Sequence, residues 1–351
     1  MSALSESISQ RITLGYLHSH YGLELDPAFA QDVTVTSIAD DILSVRPGSL
    51  YLPCVGIDSK VSEESQLAAL EGPSRAIDDD TESEQSEQLS EVDQAESESE
   101  PSHVNNLPLL IKQAELRGAY GVVLPSSARK EHLQAGIPLL YGDLEPDALG
   151  QILSNAAGDP SSSLAVFVLA GEDVSQEAAD LAHFLHTLGN PVGLLSAGNI
   201  TSLDRPLDVE KPLSMFDVQR ALSISLEDGT AAVVIGADPQ TLQHQALCNV
   251  QIDVLSFPTA SAEHANKSPS RFHEGRKGQL NAAAQRYGFA VGSQMQVARI
   301  SDSSDEMARQ ALGSADQARI DRLSLNIAMT VAAGVKRSHI RSALEASQEL
   351  A

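Results

Sequence analysis

Leu164-Ala165-Val166-Phe167-Val168-Leu169-Ala170 runs straight into Gly171-Glu172-Asp173-Val174-Ser175-Gln176-Glu177, and this join decides the fold. An apolar run without alternation is what a strand covered on both faces of a parallel sheet requires. From Ser175 to Leu188 the period changes to that of a helix, with Ala178, Leu181, Ala182 and Leu185 on one face and Gly189 as the stop. Strand, glycine turn and helix in this order form one unit of an α/β layer.

The same alternation continues on both sides. Downstream, strands are predicted at Val192 to Leu195, Ala231 to Ile235 and Ile252 to Phe257. A helix is predicted from Pro239 to Cys248, with Asp238 as its N-cap and Pro239 at its first position. Two helices separated by Ala333-Gly334 fill Asp316 to Gln348. Upstream, Ser7 to Tyr21 has mixed helical periodicity, and Leu50 to Val55 is a short strand after the turn Arg46-Pro47-Gly48. A helix follows at Leu107 to Arg117, then strands at Tyr120 to Leu124 and Pro138 to Tyr141, then a helix at Glu145 to Ala157. The expected architecture is α/β: a small N-terminal α/β domain over residues 1–145, and a doubly wound α/β domain over 146–351.

Composition removes several function classes. Of the 351 residues 42% are hydrophobic, enough for a sizeable core, and the net charge is −25. Residues 78–100 carry 11 carboxylates and no Lys or Arg, which leaves −14 on the rest (−25 + 11). An acidic chain without a basic stripe is not built for nucleic acid. No apolar run reaches membrane-spanning length, and the first residues, MSALSESISQ, have neither the basic nor the apolar part of a secretory signal. A cytoplasmic location is expected, with Cys54 and Cys248 as reduced core residues. Residues 60–101 bury too little apolar surface to offset their ordering entropy, so they are expected to be a disordered acidic insert. The insert reads as a solvated spacer, or as a regulatory arm that binds a basic partner or is phosphorylated at Ser83, Ser86, Ser90, Ser97 or Ser99.

Several landmarks together suggest a family. Asp41-Ile42-Leu43-Ser44-Val45-Arg46-Pro47-Gly48-Ser49-Leu50-Tyr51 is followed, after the insert, by Ala114-Glu115-Leu116-Arg117-Gly118-Ala119-Tyr120-Gly121-Val122-Val123. Gly158-Asp159-Pro160-Ser161 precedes the strand to Ala170, and Asp321 to Met329 holds Asn326. In order and spacing the chain resembles the Mur ligases of the MurE type, the peptidoglycan amino-acid-adding synthetases. The resemblance covers the N-terminal and central domains; the family's third domain, which binds the incoming amino acid, is expected to be absent.

The resemblance also implies where chemistry would sit. Asp41 and Gly48 fall in the UDP-sugar motif, but its Ser and Arg positions are Ile42 and Leu43, so a hydroxyl and a guanidinium fork are missing. The family's phosphate loop falls on Gly171, Glu172, Asp173, Val174, Ser175 and Gln176. Such a loop uses glycines to curl backbone N–H groups around phosphate, a Lys to neutralise it and a Thr to hold Mg²⁺. Val174 occupies the second glycine position, Ser175 the lysine and Gln176 the threonine, while Glu172, Asp173 and Glu177 add negative charge. Asp173 or Ser175 is expected to serve as an ordinary N-cap instead. Gly236 and Gln240 stand where the family has a Glu and a His near Mg²⁺. Glu263, His264 and Lys277 are the possible remnants of the site built around a metal and a carbamylated lysine, and surface residues explain them as well.

The expectation is a catalytically degenerate MurE-like protein with no ATP or Mg²⁺ requirement. It would bind an unknown protein partner of the cell-wall or division machinery. The alternative is an ATP-dependent amino-acid ligase acting on a UDP-N-acetylmuramoyl peptide.

Overall fold

The computed structural model describes residues 12–53, 107–258, 269–313 and 316–349. The acidic insert, Cys54, Glu263 and His264 lie outside the described residues.

The N-terminal part opens with β1 (Ile12–Thr13), α1 (Leu14–Tyr21), β2 (Glu24–Asp26), β3 (Thr34–Val35), β4 (Ser37–Ala39) and β5 (Ser49–Tyr51). After the undescribed segment come α2 (Leu107–Leu116), β6 (Gly121–Leu124), β7 (Leu139–Tyr141) and α3 (Pro146–Ala156). Five strands form one sheet in the order β2-β7-β6-β5-β4. All its pairs are parallel except β2 with β7. One face packs on α2 through Ile111 and Ala114. The other packs on α1 and α3 through Leu17, Leu149 and Ile152.

The second part contains β8 (Ala165–Ala170), α4 (Ser175–Thr187), β9 (Val192–Leu195), β10 (Ile200–Ser202), β11 (Arg205–Pro206), α5 (Met215–Glu227), β12 (Ala232–Ala237) and β13 (Val254–Ser256). It continues with α6 (Pro269–Tyr287), β14 (Gln296–Val297), α7 (Asp302–Leu312), α8 (Gln317–Ala332) and α9 (Arg337–Glu349). The sheet order is β11-β10-β9-β12-β8-β13-β14, with β9, β12, β8, β13 and β14 parallel and the β10–β11 edge antiparallel.

The apolar run of β8 is explained by its two covered faces. Val166, Val168 and Ala170 enter a core with α5 and α6, while Phe167 and Leu169 enter a second core with α4 and α8. Neighbouring β12 divides likewise, Val233 and Ile235 on the first side and Ala232 and Val234 on the second. Period-two side chains between two helix layers make both residue sets apolar. This is the doubly wound α/β arrangement expected from the sequence.

One expected element does not form. Residues 239–249 make turns and a bridge at Leu242, not a helix. Leu213 N donates to Thr241 O, and Gln243 N donates to Leu213 O. The C-terminal end of α6 draws in the rest of the segment, through Gln245 N to Arg286 O and Leu247 N to Tyr287 O. These tertiary backbone bonds replace the helical ones, overriding local propensity.

The two parts share one core. Leu149, Ile152, Leu153 and Ala156 of α3 cluster with the N-terminal sheet and with Met215 and Cys248 of the second part. Burial pushes the Cys248 thiol up to about 11, with the charge of Asp147 adding to it, so the thiol stays protonated. Gly150 sits where α3 meets Cys248: a Cβ there would lie 2.9 Å from the Cys248 Cβ and 2.9 Å from its carbonyl oxygen. Gly150→Ala would ordinarily stabilise a helix by up to about 1 kcal/mol. Here backbone must move to admit the methyl, and urea denaturation is expected to show a net loss of about 1–3 kcal/mol.

Candidate nucleotide-loop site

The C-terminal ends of parallel strands are where open α/β sheets place ligands. Here the ends of β8 and β12 are joined by Gly171 N donating to Ala237 O at 3.2 Å. In the following loop, residues 171–176, Gly171 is the one glycine and there is no lysine. Val174 is fully buried and packs with Ala178 and Leu181 in the core beneath α4. It stands at the N-cap position of α4 with φ −119° and ψ 12° and makes no side-chain capping bond. The expected cap at Asp173 or Ser175 is therefore corrected: burying the isopropyl group places Val174 at the cap, and Asp173 stays exposed. Glu172 is exposed beside it, and Gln176 donates from Nε2 to Asp180 Oδ1 at 2.8 Å along the outside of the helix.

The neighbouring strand end is closed in the same way. A Cβ on Gly236 would lie 3.5 Å from Val174 Cγ2, 3.6 Å from Ala178 Cβ and 3.6 Å from Ser196 Cβ. A carboxylate side chain at this position would have to enter that apolar contact. ATP·Mg²⁺ needs a cation and flexible backbone here, and the residues present offer carboxylates and a valine anchored in the core. They do not fit it. A unit charge of like sign within about 4 Å costs on the order of 1–4 kcal/mol at water-like to surface-like dielectric.

Asp238, one residue past β12, is 1% exposed. Its Oδ1 accepts from Gln240 N at 3.0 Å and Thr241 N at 2.8 Å. It caps a turn, where the sequence reading had it cap a helix. Its Oδ2 and the Thr241 hydroxyl are buried without a hydrogen-bond partner. Buried, half-satisfied polar groups of this kind are not legible in a sequence, because they depend on what covers them.

In the N-terminal part, the Asp41 carboxylate accepts from Leu43 N at 3.1 Å and caps a 3-10 turn. Gly48 has φ +92°, and a Cβ there would collide with Thr36 Oγ1. Both have sufficient structural roles. Ile42 packs on the N-terminal core, while Leu43 is 52% exposed. Lys277 is exposed on α6. Glu263 and His264 lie outside the described residues, so only Lys277 of these three can be placed.

Asp40 carries a signal that sequence reading missed. Burial first, and then the charge of Asp217 at the start of α5, push its carboxyl up to about 6, with Asp41 adding and Arg220 opposing. Asp217 is itself fixed by a capping box with Ser214. The junction thus brings carboxylates from both parts near one another. The residue as a whole keeps exposed surface, so solvent screens the effect. A raised carboxyl pKa favours the protonated fold: its stabilising contribution is complete below about 4 and is lost as the pH rises through about 6. Asp40→Asn is expected to raise the melting temperature at pH 7.5, by about 2 °C. At pH 4 the variant and the parent should melt together.

No family model and no curated protein matches the sequence. Solved structures do. Crystal structure II of MurF from Acinetobacter baumannii superimposes with a TM-score of 0.50 at 13% identity, covering 96% of this chain and 68% of that one. Crystal structure I of the same protein gives 0.50 at 14%, with the same coverage. A UDP-N-acetylmuramoyl-L-alanyl-D-glutamate–2,6-diaminopimelate ligase gives 0.50 at 10%, covering 95% of this chain and 66% of that one. At such identities the likeness carries the fold and not the chemistry. The chain has the fold of the Mur ligases over about two thirds of their length.

Proposed function

We propose that this chain is a MurE-like protein that keeps the ligase framework and has given up phosphoryl transfer. It serves as a cytoplasmic binding or scaffolding factor linked to peptidoglycan precursor synthesis or cell division. The observation that carries this reading is Val174. A phosphate loop must leave its backbone free to close around an anion. Val174 spends its side chain on the core, between α4 and the end of β12. Losing a lysine alone would weaken nucleotide binding; a buried anchor with carboxylates beside it opposes it.

The ligase reading, in which ATP activates the carboxylate of a UDP-N-acetylmuramoyl peptide, is favoured by the shared fold alone. The two readings separate in a thermal unfolding assay with ATP·Mg²⁺ and, separately, with UDP-N-acetylmuramoyl peptide. A ligand at a hundred times its dissociation constant adds about 2.7 kcal/mol. No shift with ATP is expected. A clear ATP shift that survives in the arginine variants described below would refute the proposal. A shift with the muramoyl peptide alone would make the binding role a substrate-holding one.

The anchor itself can be tested. Val174→Gly recreates the family's residue at that position but removes a buried side chain. It is expected to cost about 2–3 kcal/mol in urea denaturation and to leave ATP binding undetected by calorimetry.

A further inference from the structure

The loop before α7, the C-terminal half of α8 and the start of α9 enclose a cavity of about 60 Å³. Its floor is apolar, made by Met307, Ile327 and Val331, and Arg299 and Arg337 line it from two separate elements. Neither arginine has an ion pair or a side-chain hydrogen bond among the described residues. The contrast is with the arginines nearby: Arg309 pairs with Asp305 at 3.7 Å, and Arg322 pairs with Asp180 at 3.6 Å. Across the chain carboxylates outnumber Lys and Arg 48 to 23. Both side chains are exposed, so two guanidinium groups without an ion pair among the described residues face solvent at one cavity. The segment Lys336-Arg337-Ser338-His339-Ile340-Arg341 adds positive charge and no carboxylate.

We infer that this cavity is a binding site for a phosphate group. Guanidinium forks match the oxygens of phosphate in pairs, and the cavity has room for a single tetrahedral anion but not for a nucleotide. The site does not depend on the end of α7: Ser301 and Ser304 already cap that end by exchanging backbone and hydroxyl bonds. Ser303, which also lines the cavity, shares its hydroxyl with Ser301 at 3.1 Å, so a hydroxyl donor lies at the rim. Asp302, between Ser301 and Ser303 in the chain, is exposed and does not line the cavity, and Asp305 is held by Arg309 and by the Ser324 hydroxyl. The site lies apart from the loop at Gly171 and is independent of the scaffold reading.

The test is thermal unfolding of the full chain in inorganic phosphate and in chloride at matched ionic strength, repeated with a phosphoserine peptide. Phosphate is expected to raise the melting temperature with an affinity on the order of millimolar. Arg299→Gln and Arg337→Gln should each weaken it about tenfold, and both should melt like the parent in chloride, since neither arginine has a side-chain partner among the described residues. Arg299→Lys, which keeps the charge but not the fork, should fall between. A response to inorganic phosphate assigns the free ion as ligand; a response to the peptide alone assigns a phosphorylated side chain. No response to either, or a response undiminished in the double variant, overturns the inference. An ATP shift that vanishes in the double variant would come from the terminal phosphate alone entering this cavity, with the nucleoside left outside it, and would leave the Val174 argument intact.

Discussion

The structure depends on the burial of β8 and β12 side by side between two helix layers. Six residue pairs set their register, from Ala232 with Ala165 to Ala237 with Ala170. Since side chains alternate and both faces are covered, slipping by one residue would exchange the contents of two cores. The register aligns the ends of the two strands, so that Gly171 and Ala237 meet through a backbone bond. It thereby places Val174 and Ser196 beside Gly236, each within about 4 Å of where a Cβ on the glycine would sit. The character of the candidate site follows from this packing, because the groups that meet there are apolar or small.

The second constraint is the shared core along α3. This helix has one apolar face to satisfy, and it does so against the N-terminal sheet and the second part together. Gly150 allows the close approach to Cys248, and Asp40 approaches Asp217 and Arg220 at the same junction. The geometry between the two sheets is thus held by apolar packing, with a carboxylate cluster working against it at neutral pH. At the strand ends the chain offers exposed carboxylates beside a buried valine.

Much of the fold was legible in the sequence. The uninterrupted run Leu164 to Ala170 could hardly be anything but a strand covered on both sides, and the apolar spacing of Ala178, Leu181 and Leu185 marked α4, because periodicity reports burial directly. The residue types from Gly171 to Gln176, with one glycine and no lysine, were also legible, since composition needs no coordinates. Tertiary contact decided the rest. Pro239 to Cys248 carries helix signals, yet backbone bonds to Leu213 and to the end of α6 hold it in turns. Asp173 and Ser175 are better caps by residue type than Val174, yet the core below claims the valine and sets the helix start. The raised carboxyl of Asp40, the unpartnered oxygen of Asp238 and the arginine cavity come from residues far apart in the chain. Local pattern fixes which faces are apolar; only the assembled chain decides which polar groups are left facing one another.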